Sequence, residues 1–178
     1  MGRYREKGPS TGTEVFTNYK QRGEWIELLF MTRAAKRAFF VSKPHGDSAR
    51  YDVGLEKARR FKRVQVKGTD SRDGDSYTCN LATDKLKTYT VKEVDYFAIY
   101  LLEEDIWYIF PAKRLAGKRS ITVNPHRKEN PQARYKEAWD LLDPRKHVSS
   151  RAAEAAEIAA GKVPRKRRKP NRRAKTAE

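Results

Sequence analysis

A chain of 178 residues supports one domain of ordinary size with a sizeable core, and leaves too little for a comfortable second one. Its 40 Lys and Arg against 23 Asp and Glu give a formal net charge of +17, far beyond what solubility requires, so a polyanionic partner is expected, nucleic acid first. No long apolar run, signal peptide or basic amphipathic helix appears, and the single cysteine, Cys79, excludes an internal disulfide; a soluble, intracellular protein, cytoplasmic and nucleoid-associated, with no membrane partner, is expected.

Residues 1–17 are Gly, Ser, Thr and charge, and read as a flexible arm. A helix is predicted from residue 18 to 39 or 40, with Trp25, Leu28, Leu29, Thr32, Ala35 and Phe39 forming its apolar stripe. Glu24, one turn before Leu28, falls at the edge of that stripe, where spacing alone leaves it either a rim carboxylate paired with a cation or a site acid. A turn-rich loop over residues 42–48 contains Asp47, which suits a turn beside Gly46. Two alternating segments follow, residues 51–55 and 61–67, joined by a basic turn at 57–60. They read as a hairpin in which Tyr51, Val53 and Leu55 face away from Asp52, and Val64 and Val66 face away from Gln65 and Lys67. An acid, an amide and an amine therefore converge. The first two can ligate a hard divalent cation, and the third can hold a water or a developing phosphorane charge.

Beyond a polar Asp-Gly loop, residues 77–81 alternate as a third antiparallel strand, and 82–92 mix turn and short helix. Residues 94–102 and 106–110 are aromatic and aliphatic runs around Glu103, Glu104 and Asp105, and predict two core strands joined by a tight turn. Lys113, Arg114, Lys118 and Arg119 then give that end of the sheet positive charge, suited to phosphate contact or to a solvated rim. Residues 120–123 predict a short edge strand. A helix from 130 is expected to carry Tyr135, Ala138, Trp139 and Leu142 on one face until Asp143-Pro144 stops it. An Ala-rich helix is predicted for 151–160. Residues 163–178 carry eight Lys or Arg, including Arg165, Lys166, Arg167, Arg168 and Lys169, and one Glu; the rest of the chain keeps +10 of the net charge without them. Pro164, Pro170 and Asn171 forbid a regular helix there, and a disordered polycation is expected.

The order helix with glutamate, strand with aspartate, strand with Gln-x-Lys and then a further strand, with Asp-x(12)-Gln-x-Lys on a hairpin, resembles the PD-(D/E)XK nuclease superfamily of restriction enzymes and Holliday junction resolvases. Gln65-Val66-Lys67 is most similar to the branch with glutamine in place of the second acid, which includes homing endonucleases encoded in group I introns. The resemblance spans roughly residues 23–115. It implies an α/β, restriction-endonuclease-like fold, a mixed β-sheet flanked by helices, here over residues 18–145, with residues 146–178 as the short helix and basic tail. It also implies Mg²⁺, with Mn²⁺ as a substitute, held by Glu24, Asp52, Gln65 and the carbonyl of Val66, with Lys67 acting on the attacking water. Gln65 in place of a carboxylate removes one negative charge from the cage, which favours one well-held ion over two.

The reading that follows is a metal-dependent DNA endonuclease, with the same chemistry on four-way junctions, and non-catalytic nucleic-acid binding on the same fold, as its alternatives. Cutting both strands with one centre per chain is most simply met by a homodimer or higher homo-oligomer, expected to join through the helix from 130 to 142 and the strand 120–123. The tail is expected to add affinity without specificity. Deleting residues 163–178 should flatten the dependence of log affinity on log salt by ~0.9 for each duplex phosphate that the tail neutralises, with base preference unchanged; gel-shift titrations across a salt series measure both.

Overall fold

The computed structural model describes residues 16, 18–46, 48–82, 87–127 and 129–146. Asp47, the helix expected at 151–160 and the basic tail lie outside them, as does the N-terminal arm apart from Phe16, whose ring sits 5.2 Å from that of Trp25. Helix α1 (Tyr19–Ala35) begins at Asn18, which has extended backbone and whose Oδ1 accepts from the Gln21 amide at 2.7 Å. It ends earlier than its pattern predicts. Ala38 turns left-handed (φ 59°), the Phe39 amide donates back to Ala34 O, and residues 40–42 leave as a strand.

The buried face of α1 is Ile26, Phe30 and Ala34, one residue out of phase with the expected stripe. Leu28 is 59% exposed, and Thr32 and Ala35 face solvent. The physical reason lies across the interface at Gly68. A Cβ at that position would stand 2.2 Å from Ile26 Cδ1, so glycine lets Ile26 seat there without a shift of its side chain, and the seat favours this side of the helix against the sheet.

The strands are β1 (Phe40–Ser42), β2 (Val53–Lys57), β3 (Arg60–Thr69), β4 (Arg72–Asp73), β5 (Ser76–Asn80), β6 (Tyr96–Leu101), β7 (Ile106–Pro111) and β8 (Ser120–Val123). Five of them form a mixed sheet in the order β1-β2-β3-β6-β7, antiparallel except for the central β3–β6 pair. The expected hairpin is present. Its two-residue turn, Ala58 and Arg59, has positive φ at both positions, the geometry that matches the twist of the strands it joins.

The third strand is corrected. β5 does not extend the β2–β3 hairpin; it pairs with β4 and β8 in a separate three-stranded antiparallel sheet, and β6 takes the place beside β3. Every residue of β6 from Phe97 to Leu101 is buried, as a strand covered on both faces requires, whereas β5 alternates buried Tyr77 and Cys79 with exposed Thr78 and Asn80, as a strand with one wet face requires. The large sheet is thus covered by α1 on one face. On the other, Tyr77, Cys79, Ile121 and Val123 of the small sheet pack with Phe97, Ile99, Tyr108 and Phe110. Burial pushes the Cys79 thiol up to about 12, so it behaves as a core residue.

A second correction concerns residues 130–142, which form two separate 3₁₀ turns, Ala133–Tyr135 and Trp139–Leu142, and not one helix. The Glu137 carboxylate, at positive φ, accepts from the Trp107 amide and from Trp139 Nε1, which breaks the helical run and folds the segment onto β7. Trp139 is therefore not surface available to a second chain. It is 5% exposed, stacked on Phe30 at 5.4 Å, edge-on to Trp107 at 5.9 Å and covered by the Arg37 guanidinium at 4.2 Å. Trp139→Ala should accordingly lower the unfolding free energy by about 3–5 kcal/mol. Urea melts at two protein concentrations provide the check, with the loss the same at both.

Candidate active site

β2 starts at Val53, opposite Val64, while β3 continues to Thr69, so from Gln65 onward one edge of β3 has lost its β2 neighbour. Asp52 stands at that departure. Its amide donates to Val64 O at 3.0 Å, and its Oδ2 accepts from the Val66 amide at 2.8 Å and from the Gln65 side-chain Nε2. Because the N–H and C=O of one residue point to the same side of a strand, the Val66 carbonyl is directed to this open edge too. Gln65 is 4% exposed, buried in spite of its amide. An amide can turn over without changing shape, so Gln65 can offer Oε1 in place of Nε2.

The first turns of α1 roof the open edge and enclose a cavity of about 210 Å³. Arg22, Glu27, Asp52, Gln65, Val66 and Lys67 line it, with Gly23, Ile26 and Gly68 at its floor and wall. Asp52, Gln65, Val66 and Lys67 are thereby brought together around one space. Glu24 is not. It is exposed on the outer side of α1, on an open surface with Asn18, Lys20 and Gln21, and the helix acid at the cavity is Glu27. The correction follows from the helix phase. With Ile26 buried against the sheet beside the half-buried Trp25, and Leu28 turned to solvent, the acid beside the site moves three residues along, close to one turn.

Two further charges were missed in the sequence. Lys43, just past β1, places Nζ 2.8 Å from Glu27 Oε2, and Arg22 pairs with Asp70 at 2.5 Å where β3 ends. The four-residue spacing of Ile26, Phe30 and Ala34 was the available signal for Glu27. Nothing in the sequence pointed to Lys43, which comes near through tertiary packing alone. Lys113 and Arg114, exposed on the short helix α2 (Ala112–Leu115), and the exposed Lys118 and Arg119 do not line the cavity. Arg165, Lys166, Arg167, Arg168 and Lys169 lie outside the described residues.

Burial pushes the Asp52 carboxyl up to about 6, and the negative charge of Glu27 adds to the rise; the Val66 amide, Lys67 and the Gln65 side chain oppose it. A carboxylate so placed gains from any cation that can reach it. Among the described residues no group of three or more His, Cys, Asp and Glu could hold a metal, so a cation here would meet two carboxylates at most. With the Gln65 amide oxygen and the Val66 carbonyl, the donors are all hard oxygens, a set that fits a small divalent cation keeping several of its waters.

Over residues 17–142 the sequence matches the family described as PD-(D/E)XK endonuclease. No curated protein sequence matches it significantly. Among solved structures, a bacterial homing endonuclease, I-Ssp6803I, superposes with a TM-score of 0.63 at 22% identity, over 77% of this chain and 99% of that one. The Holliday junction resolvase Hjc of Archaeoglobus fulgidus superposes with a TM-score of 0.40 at 17% identity, over 58% of this chain and 84% of that one.

The raised carboxyl sets a sign for stability. A group whose folded-state value exceeds its unfolded one contributes fully below the unfolded value, near 3.8, and its contribution is lost as pH rises through about 6. Without divalent cations, Asp52→Asn should therefore stabilise the protein at pH 7.5 by about 3 kcal/mol and leave it unchanged below about pH 4. Urea melts across that range test this, and a variant no more stable than wild type at pH 7.5 overturns it.

Proposed function

Because the chain belongs to the PD-(D/E)XK endonuclease family, we propose that it hydrolyses DNA phosphodiester bonds in the cavity between α1 and the open edge of β3, with a divalent cation as cofactor. The observation that carries the proposal is the desolvated Asp52 carboxylate sharing that cavity with Glu27, Gln65 and Lys67. Mg²⁺, or Mn²⁺ in its place, would supply positive charge to the phosphate and to the attacking water. Asp52, the Gln65 amide oxygen and the Val66 carbonyl would hold it, with Glu27 contributing directly or through water. Glu27 takes the role that the sequence assigned to Glu24.

Lys67 projects from the same strand and lines the cavity, where its ammonium can orient the attacking water and offset charge on the phosphorane. In the balanced step a water oxygen bonds to phosphorus and gives up a proton, the bond from phosphorus to the leaving deoxyribose oxygen breaks, and that oxygen takes up a proton. A neutral Gln65 where a second acid would stand lowers the negative charge around the cation, which favours one metal over two. Lys113, Arg114, Lys118 and Arg119 are proposed to contact phosphates, as are the cations of the tail. A site-specific homing role is the finer proposal and rests on the Gln65-Val66-Lys67 motif. A two-fold pair of chains would present two centres to opposite strands, through a surface other than Trp139.

The test is cleavage of supercoiled plasmid, linear duplex and a four-way junction in Mg²⁺ and in Mn²⁺. Asp52→Asn and Lys67→Ala should abolish cutting, with DNA binding largely retained because the contacts that hold DNA are spread over many cations. Glu27→Gln should cost at least tenfold in rate, a loss of about 1.4 kcal/mol in transition-state stabilisation, while Glu24→Gln stays near wild type. Wild-type turnover by Asp52→Asn would remove the metal assignment. Equal losses at positions 24 and 27 would remove the choice of helix acid.

A further inference from the structure

The small sheet has a face that the proposed chemistry does not use. On β5 and β8 the inward residues Tyr77, Cys79, Ile121 and Val123 are buried in the core, while Thr78, Asn80, Ser120 and Thr122 face out. The outward residues form two directly opposed cross-strand pairs, Thr78 with Thr122 and Asn80 with Ser120. All four are uncharged hydrogen-bonding side chains, in a chain in which 35% of residues are charged. Charge returns immediately before the stripe begins, at the exposed Lys118 and Arg119. A merely solvated strand face in so basic a protein has no reason to drop its charges at all four of these outward positions. A surface that reads base edges does, because base edges reward neutral donors and acceptors of defined geometry, whereas the phosphates on either side reward cations.

We propose that the outer face of the β5–β8 ribbon enters the major groove of duplex DNA and reads base pairs beside the scissile phosphate, with Lys118 and Arg119 on the flanking backbone. The proposal rests on the endonuclease reading for its substrate. A two-stranded ribbon fits the ~12 Å width of the B-form major groove, and the deep, narrow groove of A-form RNA does not admit it. The chemistry of the four residues is suited to the task. Hydroxyls accept or donate, and an asparagine amide can pair with adenine. Asn80 Oδ1 accepts from the Ala82 amide at 2.9 Å, a bond that orients the side chain without using its Nδ2 donors, and Thr78 and Thr122 hold each other's hydroxyls at 2.9 Å.

The ribbon is also tied to the catalytic strand. Thr69, two residues beyond Lys67 on β3, donates its hydroxyl to Thr78 O at 2.7 Å, and the Thr78 amide donates to Ser71 O at 2.9 Å. Two residues of strand span ~7 Å along β3 and a neighbouring strand lies ~5 Å to the side, so the near end of the ribbon stands ~9 Å from Lys67. At ~3.4 Å per base step, that places the pairs it reads from about two or three steps off the cut.

The experiment selects binding sites from a randomised duplex library with the full-length protein in EDTA, where nothing is cut, and compares wild type with Asn80→Ala, Thr122→Val and the double variant. Thr122→Val keeps shape and strand preference, and an unchanged thermal midpoint shows that it folds. The ribbon variants should lose about tenfold discrimination at a contiguous run of two to four pairs, keep preference elsewhere, and keep the wild-type salt dependence. Lys118→Ala and Arg119→Ala should do the reverse, lowering the slope of log affinity against log salt by ~0.9 each with base preference intact. A folded double variant with the wild-type base profile overturns the proposal, as does a wild-type protein with no base preference or an affected run far from the mapped cut. A protein that selects a site and never cuts it in Mg²⁺ or Mn²⁺ overturns the endonuclease reading and leaves the ribbon standing.

Discussion

The Asp52 carboxylate is held out of water against the edge of β3 by two bonds, from the Val66 amide and from the Gln65 side chain, with a second carboxylate, Glu27, adding to the cost of its charge. Such an arrangement works against folding at neutral pH and persists because the surrounding sheet leaves it no alternative position. β2 must stop at Val53 for the edge to open, and β6 must sit in parallel on the far side for β3 to stay rigid while it does. The destabilised carboxylate and the open edge are one feature. The group that would relieve the strain, a small cation, is the cofactor of the proposed reaction.

The orientation of α1 depends on a contact of a different kind. At Gly68 the helix comes within reach of the β3 backbone, and Ile26 fills the space that a side chain would occupy. That steric fit sets the rotation of the helix and hence which of its acids meets Asp52. Electrostatics then act on the result. Lys43 pairs with Glu27 at 2.8 Å and Arg22 with Asp70 at 2.5 Å, so each of these cations is held by an acid at or beside the cavity.

The small sheet links this chemistry to the rest of the molecule. Its inner face completes the core on the side of the large sheet that α1 does not cover, and its tie to Thr69 keeps it next to the strand that carries Gln65 and Lys67. The positive charge is carried by exposed side chains, on α2, whose Ala112 and Leu115 belong to that core while Lys113 and Arg114 face out, on the loop before β8 and in the sequence of the tail.

Short-range patterns in the amino-acid sequence were enough for the hairpin, for the convergence of Asp52, Gln65 and Lys67, for the two core strands β6 and β7, and for the edge strand β8, because alternation with period two and tight turns are local properties. The charge excess and its implication of a nucleic-acid partner were equally local. Tertiary structure decided the rest. The stripe on α1 had two possible phases one residue apart, and the choice between Glu24 and Glu27 was made by Ile26 meeting Gly68, 42 positions away in the chain. The neighbour of β3 was decided by which strand could be covered on both faces, a competition between β5 and β6 that no window of either alone contains. The helical spacing of Tyr135, Ala138, Trp139 and Leu142 was overridden when Glu137 found the backbone of β7 and drew Trp139 into the core. In each case the sequence held both options open, and packing against a distant residue selected one.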